Sequence, residues 1–169
     1  ENILALHARV ILHEAETTQL PRTAIRPYPT QYEKQWVTKQ DLEVEIRPIR
    51  PEDEPQMVEF HKTISDESVY NRYFNAIQFT RRVAHDRLIR VCHIDYDREI
   101  ALVVTQALGD GAEQIIAAGR LSRAAGSDEA EFTLLISDAY QRQGIGTELL
   151  RNLVAIGRAE KLARIVAYI

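Results

Sequence analysis

Residues 131–151, EFTLLISDAYQRQGIGTELLR, carry the pattern that decides the fold. Apolar and polar side chains alternate over residues 132–137, which predicts a β-strand. A polar turn with two glycines follows, and residues 147–160 then carry apolar side chains at helical spacing. The stretch therefore predicts a strand, a loop and a helix in direct succession.

The turn between this strand and this helix has the features of an anion-binding loop. The first N–H groups of a helix have no partner within the helix, and the helix dipole adds roughly half a positive charge there. Gly144 and Gly146 lack Cβ atoms, so an anion can approach the backbone closely and φ can be positive. Arg142 can add a full charge. The sequence predicts that a pyrophosphate binds at this turn.

Two common phosphate-loop motifs do not fit the turn. A P-loop needs a lysine directly before the Ser or Thr, whereas Gly146 precedes Thr147. The dinucleotide fingerprint needs a third glycine where Leu149 stands. The pattern that remains is Q-x-x-G-x-G, formed by Gln141, Gly144 and Gly146. The alternative interpretation is an ordinary glycine-containing turn between a strand and a helix.

This pattern resembles the pyrophosphate loop of the GNAT acetyltransferase superfamily, and the flanking LLIS strand and TELLRNLV helix fit it as well. The resemblance implies that acetyl-CoA, or another acyl-CoA, is the cosubstrate. In the family the loop binds the pyrophosphate, and main-chain groups of the preceding strand bind the acyl carbonyl and the pantetheine. The residues expected to contact the cosubstrate are Leu135, Ile136, Ser137, Gln141, Arg142, Gln143, Gly144, Ile145, Gly146 and Thr147.

The rest of the chain predicts an α/β fold in which helices flank a mixed central sheet. Strands are predicted around Leu42–Ile46 and at 100–108, 114–122 and 132–137, and the last at 163–169. Helices are predicted at 52–64, from Ser65 onward, at 81–90 and at 147–160. The helix between the last two strands makes them parallel neighbours. The resemblance implies that these two strands splay apart and that pantetheine lies between them.

Three segments are predicted along the chain. Residues 3–12, ILALHARVIL, resemble the last strand of the ATP-grasp domain in NDP-forming acyl-CoA synthetase-like proteins that carry an acetyltransferase domain. AIRPYP (24–29) and IRPIRPEDEPQMVEFH (46–61) resemble the same proteins. We therefore expect a tail strand of a preceding domain at 1–13, a linker at 14–40, and a GNAT domain at 41–169.

The resemblance also predicts a truncated domain. The superfamily continues past its fifth strand with a helix and two more strands, where an Asn and a Tyr often contact CoA and protonate the departing thiolate. Because the sequence stops at Ile169, no general acid can be assigned. Strand edges left exposed would favour self-association.

The chemistry of acyl transfer singles out one carboxylate. An acceptor lysine is protonated near pH 7, because its ordinary pKa is about 10.4, and a carboxylate in a partly desolvated cleft can remove that proton. Glu131 is the predicted general base, since Ala130–Phe132 looks like the place where protein-acetylating members carry theirs. Glu129 and Asp128 are rivals. If Phe132, Leu134 and Ile136 pack on the helices, strand alternation directs Glu131 to the cleft.

Composition narrows the function. The net charge is −4 with both signs interspersed, so neither a nucleic-acid patch nor a polybasic membrane segment is predicted. No apolar run approaches the ~20 residues of a transmembrane helix. The single cysteine, Cys92, excludes an internal disulfide and is typical of a reducing cytoplasm. His93, Asp95 and Asp97 fit no metal-loop spacing.

The predicted function is acetylation of a lysine in a protein substrate, with acyl-CoA synthetases among the candidate targets. Two alternatives stay open. One is a GNAT enzyme acting on a small amine metabolite. The other is a non-catalytic module that senses acyl-CoA.

Overall fold

The computed structural model describes residues 26–109, 111–123 and 127–167. The predicted tail strand (1–13) and the first part of the predicted linker (14–25) lie outside these residues. Among the described helices, none is long and apolar enough to cross a membrane.

The described residues form a six-stranded mixed sheet and five helices. The strands are β1 (Lys34–Val37), β2 (Glu43–Pro48), β3 (Glu99–Gly109), β4 (Ala112–Arg123), β5 (Glu129–Ile136) and β6 (Arg164–Val166). The helices are α1 (Glu54–Lys62), α2 (Asp66–Tyr73), α3 (Phe79–Arg82), α4 (His85–Cys92) and α5 (Ile145–Ala159). Short 3₁₀ turns lie at Thr30–Tyr32, Pro51–Asp53 and Asp138–Tyr140.

The strands lie in the sheet in the order of the chain, from β1 to β6. Every neighbouring pair from β1 to β5 is antiparallel, whereas β5 and β6 are parallel. A parallel pair needs a crossover connection, and α5 provides it. The mixed α/β fold predicted from the sequence is confirmed.

Apolar side chains fill both faces of the sheet. On one face, Leu149 and Leu153 of α5 pack with Phe132, Leu134 and Ile136 of β5. On the other face, helices α1, α2 and α4 contribute residues such as Phe60, Val69 and Leu88, and Leu135 packs there. Alternate side chains of β5 therefore pack on opposite faces of the sheet, as the sequence pattern predicts.

A first strand lies inside the interval predicted to be a linker. β1 pairs with β2, and Trp36 lies opposite Val44. Lys34 Nζ reaches the Glu148 Oε1 carboxylate of α5 at 2.6 Å. The segment before the expected domain start is thus packed against the sheet and the last helix.

Helix boundaries differ from the prediction in three places. Helix α1 spans Glu54–Lys62, within the predicted 52–64. The helix predicted at 81–90 is two shorter helices, because Ala84 is extended, with φ −60° and ψ 133°. Helix α5 begins at Ile145, two residues earlier than predicted. Ser65 caps α2 by accepting a hydrogen bond from the Ser68 N–H at 3.2 Å.

Candidate functional site

A cleft opens where β5 and β6 separate. The two strands are paired only from Glu129 to Glu131, which lie opposite Arg164 to Val166. Beyond Glu131, within the described residues, β5 continues to Ile136 with no strand on that side. A cavity of about 700 Å³ fills the gap, lined by residues 131–136 of β5, by α2 and by Gln141 and Arg142. The separation implied by the family resemblance is present.

Main-chain alternation decides which groups of β5 face this cleft. The N–H of Ser137 donates to Ile116 O of β4 at 2.9 Å. In an antiparallel pair the N–H of Leu135, two residues away, also points to β4. The main-chain groups directed to the open side are therefore those of Leu134 and Ile136. Among the three strand residues predicted to contact the cosubstrate, Ile136 has this orientation, whereas the N–H of Ser137 is already bonded.

The loop before α5 presents a row of main-chain amides. Arg142 and Gly144 have left-handed backbones, with φ of 62° and 89°. Within the described part of the chain, the N–H groups of residues 142–147 have no protein acceptor. Unpaired amides at a helix N-terminus form a ready anion site, and a diphosphate fits this donor set.

The side chains of the two loop glutamines, Gln141 and Gln143, donate hydrogen bonds that hold the loop in place. Gln141 Nε2 donates to Ser68 Oγ and Asp138 Oδ1, both at 3.1 Å. Gln143 Nε2 donates to Ala139 O at 3.2 Å. These bonds hold the loop against α2 and against itself.

The remaining loop residues have different environments. Ile145, the first residue of α5, is buried in the core, whereas Arg142 and Thr147 are exposed. A Cβ at Gly146 would lie 2.9 Å from Ile136 Cδ1, so this glycine also lets α5 approach β5 closely. The full charge of Arg142 lies on the cleft side.

Lys39 is a residue at this site that sequence reasoning missed. It follows β1, and its N–H donates to Gln143 O at 3.1 Å. Its side chain lies over Gly144, and it is exposed. No local sequence pattern indicates that Lys39 lies at the site, because β1 reaches the loop only in the tertiary fold.

Glu131 lies at the point where the β5–β6 pairing ends. Its side chain shares a face with Thr133 and Leu135, and it is partly buried where it lines the cleft. Among the described residues it has no hydrogen-bond partner and no salt bridge. The Glu131 carboxylate can therefore accept a hydrogen bond from a group that enters the cleft.

The other two candidate carboxylates, Glu129 and Asp128, each form a salt bridge. Glu129 forms a salt bridge with Arg164 of β6. Asp128 forms one with Arg123 at 3.1 Å. Neither lines the cleft, so the geometry favours Glu131.

Arg72 of α2 places a cation beside Glu131. Burial lowers the pKa of the Arg72 guanidinium from its ordinary value. The charges of Arg120 and Arg87 act in the same direction, whereas Tyr73 and Glu131 oppose them. Sequence reasoning missed Arg72, because helix periodicity does not indicate which strand the helix packs against.

Comparison with known proteins finds the same architecture in other proteins. The family model described as "Acetyltransferase (GNAT) domain" matches residues 43–169. In structure, the chain is similar to the GNAT domain of S. lividans PAT, with 29% sequence identity, a TM-score of 0.73, and coverage of 83% of this chain and 80% of that one.

Two more distant structures share the fold. The PaiA N-acetyltransferase of Thermoplasma acidophilum, solved with coenzyme A, is 18% identical with a TM-score of 0.56, covering 75% of this chain and 79% of that one. A cAMP-binding acyltransferase from Mycobacterium smegmatis is 22% identical with a TM-score of 0.52. This match covers 83% of the present chain but only 39% of the M. smegmatis protein.

Proposed function

The chain belongs to the GNAT acetyltransferase family, and we propose that it moves the acetyl group of acetyl-CoA directly to a lysine amine of a protein, with Glu131 as the general base. The observation that carries this proposal is the common cleft. Unpaired loop amides lie at one end of it, and Glu131 lies at the other, where β6 leaves β5.

The proposed binding of acetyl-CoA rests on main-chain donors. The amides of residues 142–147 would bind the diphosphate, with the charges of Arg142 and Lys39 beside them. The N–H groups of Leu134 and Ile136, which point to the open side of β5, would bond to the pantetheine, much as a further strand would. Since these donors are fixed by the fold, little reorganisation is needed when the acyl carbonyl develops negative charge.

Glu131 supplies the proton acceptor. Its carboxylate takes a proton from the acceptor ammonium, directly or through one water, and the neutral nitrogen attacks the thioester carbon. As the C–N bond forms, the C–S bond breaks and CoA leaves as the thiolate. The nitrogen loses its second proton to solvent, which leaves the neutral amide. A thiol with an ordinary pKa of about 8.5 is a competent leaving group near neutral pH.

A protein lysine as acceptor is supported by two observations. One is the similarity to the GNAT domain of S. lividans PAT. The other is the open cleft, which is lined just after α2 by the exposed aromatic side chain of Phe74. An acyl-CoA synthetase is the substrate protein we propose to test first, because of the resemblance of residues 3–12, 24–29 and 46–61.

The Glu131→Gln variant tests this function. Acetyl transfer is followed by CoA thiol release and by mass spectrometry of the acceptor, and acetyl-CoA binding by calorimetry. We expect turnover to fall by about 10²–10⁴-fold, the usual contribution of a general base, with acetyl-CoA affinity unchanged within threefold. Glu129→Gln is the matched control and should retain turnover. Full turnover in Glu131→Gln, or no acetyl transfer by the unaltered protein to proteins or amines, would refute the proposal.

A further inference from the structure

A second, smaller cavity lies behind the cleft, between the sheet and helices α1, α2 and α4. Its volume is about 130 Å³, roughly four times the ~30 Å³ that one water occupies in the liquid. It shares Arg72, Tyr73 and residues 133–135 with the cleft. A group attached to the acceptor could therefore enter it while the acceptor amine stays near Glu131.

Two arginines of this cavity stack on the same aromatic ring. The guanidinium carbons of Arg72 and Arg87 lie over the Tyr73 ring, at 4.7 and 5.2 Å from its centroid. Within the described residues neither makes a salt bridge. Arg120, which also lines the cavity, differs because it pairs with Glu99 at 2.9 Å. Stacking on an aromatic ring orients a guanidinium and leaves its N–H groups free to bind an anion.

A buried histidine with an unsatisfied polar atom also lines this cavity. His61 is 4% exposed, and its Nδ1 has no hydrogen-bond partner in the described part of the chain. Burial lowers the pKa of His61 to about 4, and the charges of Arg82 and Arg87 act in the same direction. The ring is therefore neutral at pH 7. An unpartnered buried group of this kind is uncommon in native proteins.

We propose that this cavity binds a carboxylate that the acceptor carries close to its reactive amine. The inference rests on the proposed function and deepens it, since it states which acceptors the cleft prefers. Two guanidiniums that form no salt bridge within the described residues, together with an imidazole, form a donor set suited to a carboxylate. The volume admits a carboxyl group with one or two methylenes, as in an aspartate or glutamate side chain.

The carboxylate can come from two sources. It can be an acidic residue next to the acceptor lysine in a protein, or the α-carboxylate of a free amino acid that carries a second amine. Free lysine and lysine amide test the second source. Peptide pairs that place Glu or Gln one residue from the acceptor lysine test the first.

Arg87→Gln is the informative variant, because Arg72 lies beside Glu131 and its loss would disturb the base. We expect the unaltered protein to prefer one carboxylate-bearing acceptor over its neutral match by at least tenfold in kcat/KM. Arg87→Gln should reduce that preference at least fivefold and leave the neutral acceptor and acetyl-CoA affinity within threefold. Arg87→Lys should retain part of the preference. Arg90→Gln, on the exposed side of α4, is the matched control and should retain all of it.

Glutarate binding gives a readout that needs no turnover. Calorimetry should detect glutarate binding to the unaltered protein and at least tenfold weaker binding to Arg87→Gln. Equal rates with the acidic and neutral acceptors, or glutarate binding that is absent or unchanged in the variant, would overturn the inference. A variant that changes the preference for acyl-chain length instead of the acceptor would also overturn it. Failure of the unaltered protein to transfer acetyl to any acceptor refutes the proposed function instead, and glutarate binding still tests the cavity.

Discussion

Lys39 lies across Gly144, so that a Cβ added to the glycine would come within 3.3 Å of the lysine Cε. The backbone of Gly144 is left-handed at this point, and the N–H of Lys39 bonds to the preceding carbonyl of Gln143 at 3.1 Å. The turn after β1 therefore supports the diphosphate loop and brings an ammonium group to its edge.

Replacement of Lys39 by alanine should weaken acetyl-CoA binding about fivefold at low salt. An exposed charge near an anion contributes on the order of 1 kcal/mol. Calorimetry at low and high ionic strength measures the effect, which should shrink as salt screens the charge. Lys62→Ala, an exposed lysine of α1 that pairs with Glu59, should leave affinity unchanged. Equal affinities for Lys39→Ala and the unaltered protein would exclude Lys39 from the site.

Gly144→Glu should abolish measurable acetyl-CoA binding. The substitution places a carboxylate in the anion site and forces a side chain into a left-handed backbone, which costs about 1–2 kcal/mol. Gly111→Glu is the matched control, because Gly111 also has a positive φ of 77°, and among the described residues apart from its chain neighbours no atom lies within 4 Å of a Cβ added there. Both variants should lose stability in thermal unfolding, and only the first should lose binding. Unaltered binding by Gly144→Glu would remove the basis of the proposed function.

Asp138→Ala should loosen the loop from α2. The carboxylate accepts hydrogen bonds from the Ser65 N–H at 3.0 Å and the Ser68 hydroxyl at 2.8 Å. Although partial burial alone raises the pKa of Asp138, these bonds lower it below its ordinary value. We expect a several-fold higher KM for acetyl-CoA with little change in kcat, measured by steady-state kinetics.

The pH dependence of stability gives a check on the same contact. Because the folded pKa of Asp138 is lowered, its contribution is present above the ordinary aspartate pKa and is lost as pH falls through the folded value. The difference in unfolding free energy between Asp138→Ala and the unaltered protein should therefore narrow only in strong acid. A difference that already narrows well above the ordinary aspartate pKa of about 3.9 would contradict this account.

His61 should make the protein less stable as pH falls from about 6.5 to about 4. Its folded pKa is lowered to about 4 by burial and by Arg82 and Arg87, so the unfolded chain binds more protons in that interval. A shift of this size corresponds to an upper limit of about 3 kcal/mol. Urea unfolding at pH 7 and pH 5 should show a smaller pH effect for His61→Gln than for the unaltered protein. An equal pH effect in both proteins would show that His61 does not titrate as its burial implies.

The strand, loop and helix at residues 131–151 could be predicted because each has a clear local signal. Alternation marks β5, glycine marks the turn, and helical spacing marks α5. The exposure of Glu131 to the cleft followed from the same alternation. β1 could not be predicted in this way, since Lys34–Val37 is four residues long and follows a proline-containing segment.

Local sequence patterns could not predict which residues tertiary packing brings together. His61, Arg72 and Arg87 lie on three different helices. The periodicity of these helices does not predict the angles at which they cross the sheet. The break at Ala84 also lacks a proline or glycine to mark it. Lys39 reaches the loop only because β1 joins the edge of the sheet.

The attachment of β1 to α5 has a thermodynamic consequence. Lys34 is bonded to Glu148 and Lys39 touches the loop at Gly144, so residues 34–39 and the loop stabilise each other. Coupling of this kind is reciprocal: if docking of the strand raises the affinity for a diphosphate, then a bound diphosphate must tighten the strand by the same factor. The amide protons of β1 should consequently exchange more slowly with solvent deuterium when acetyl-CoA is present, although β1 lies at the opposite edge of the sheet from β6.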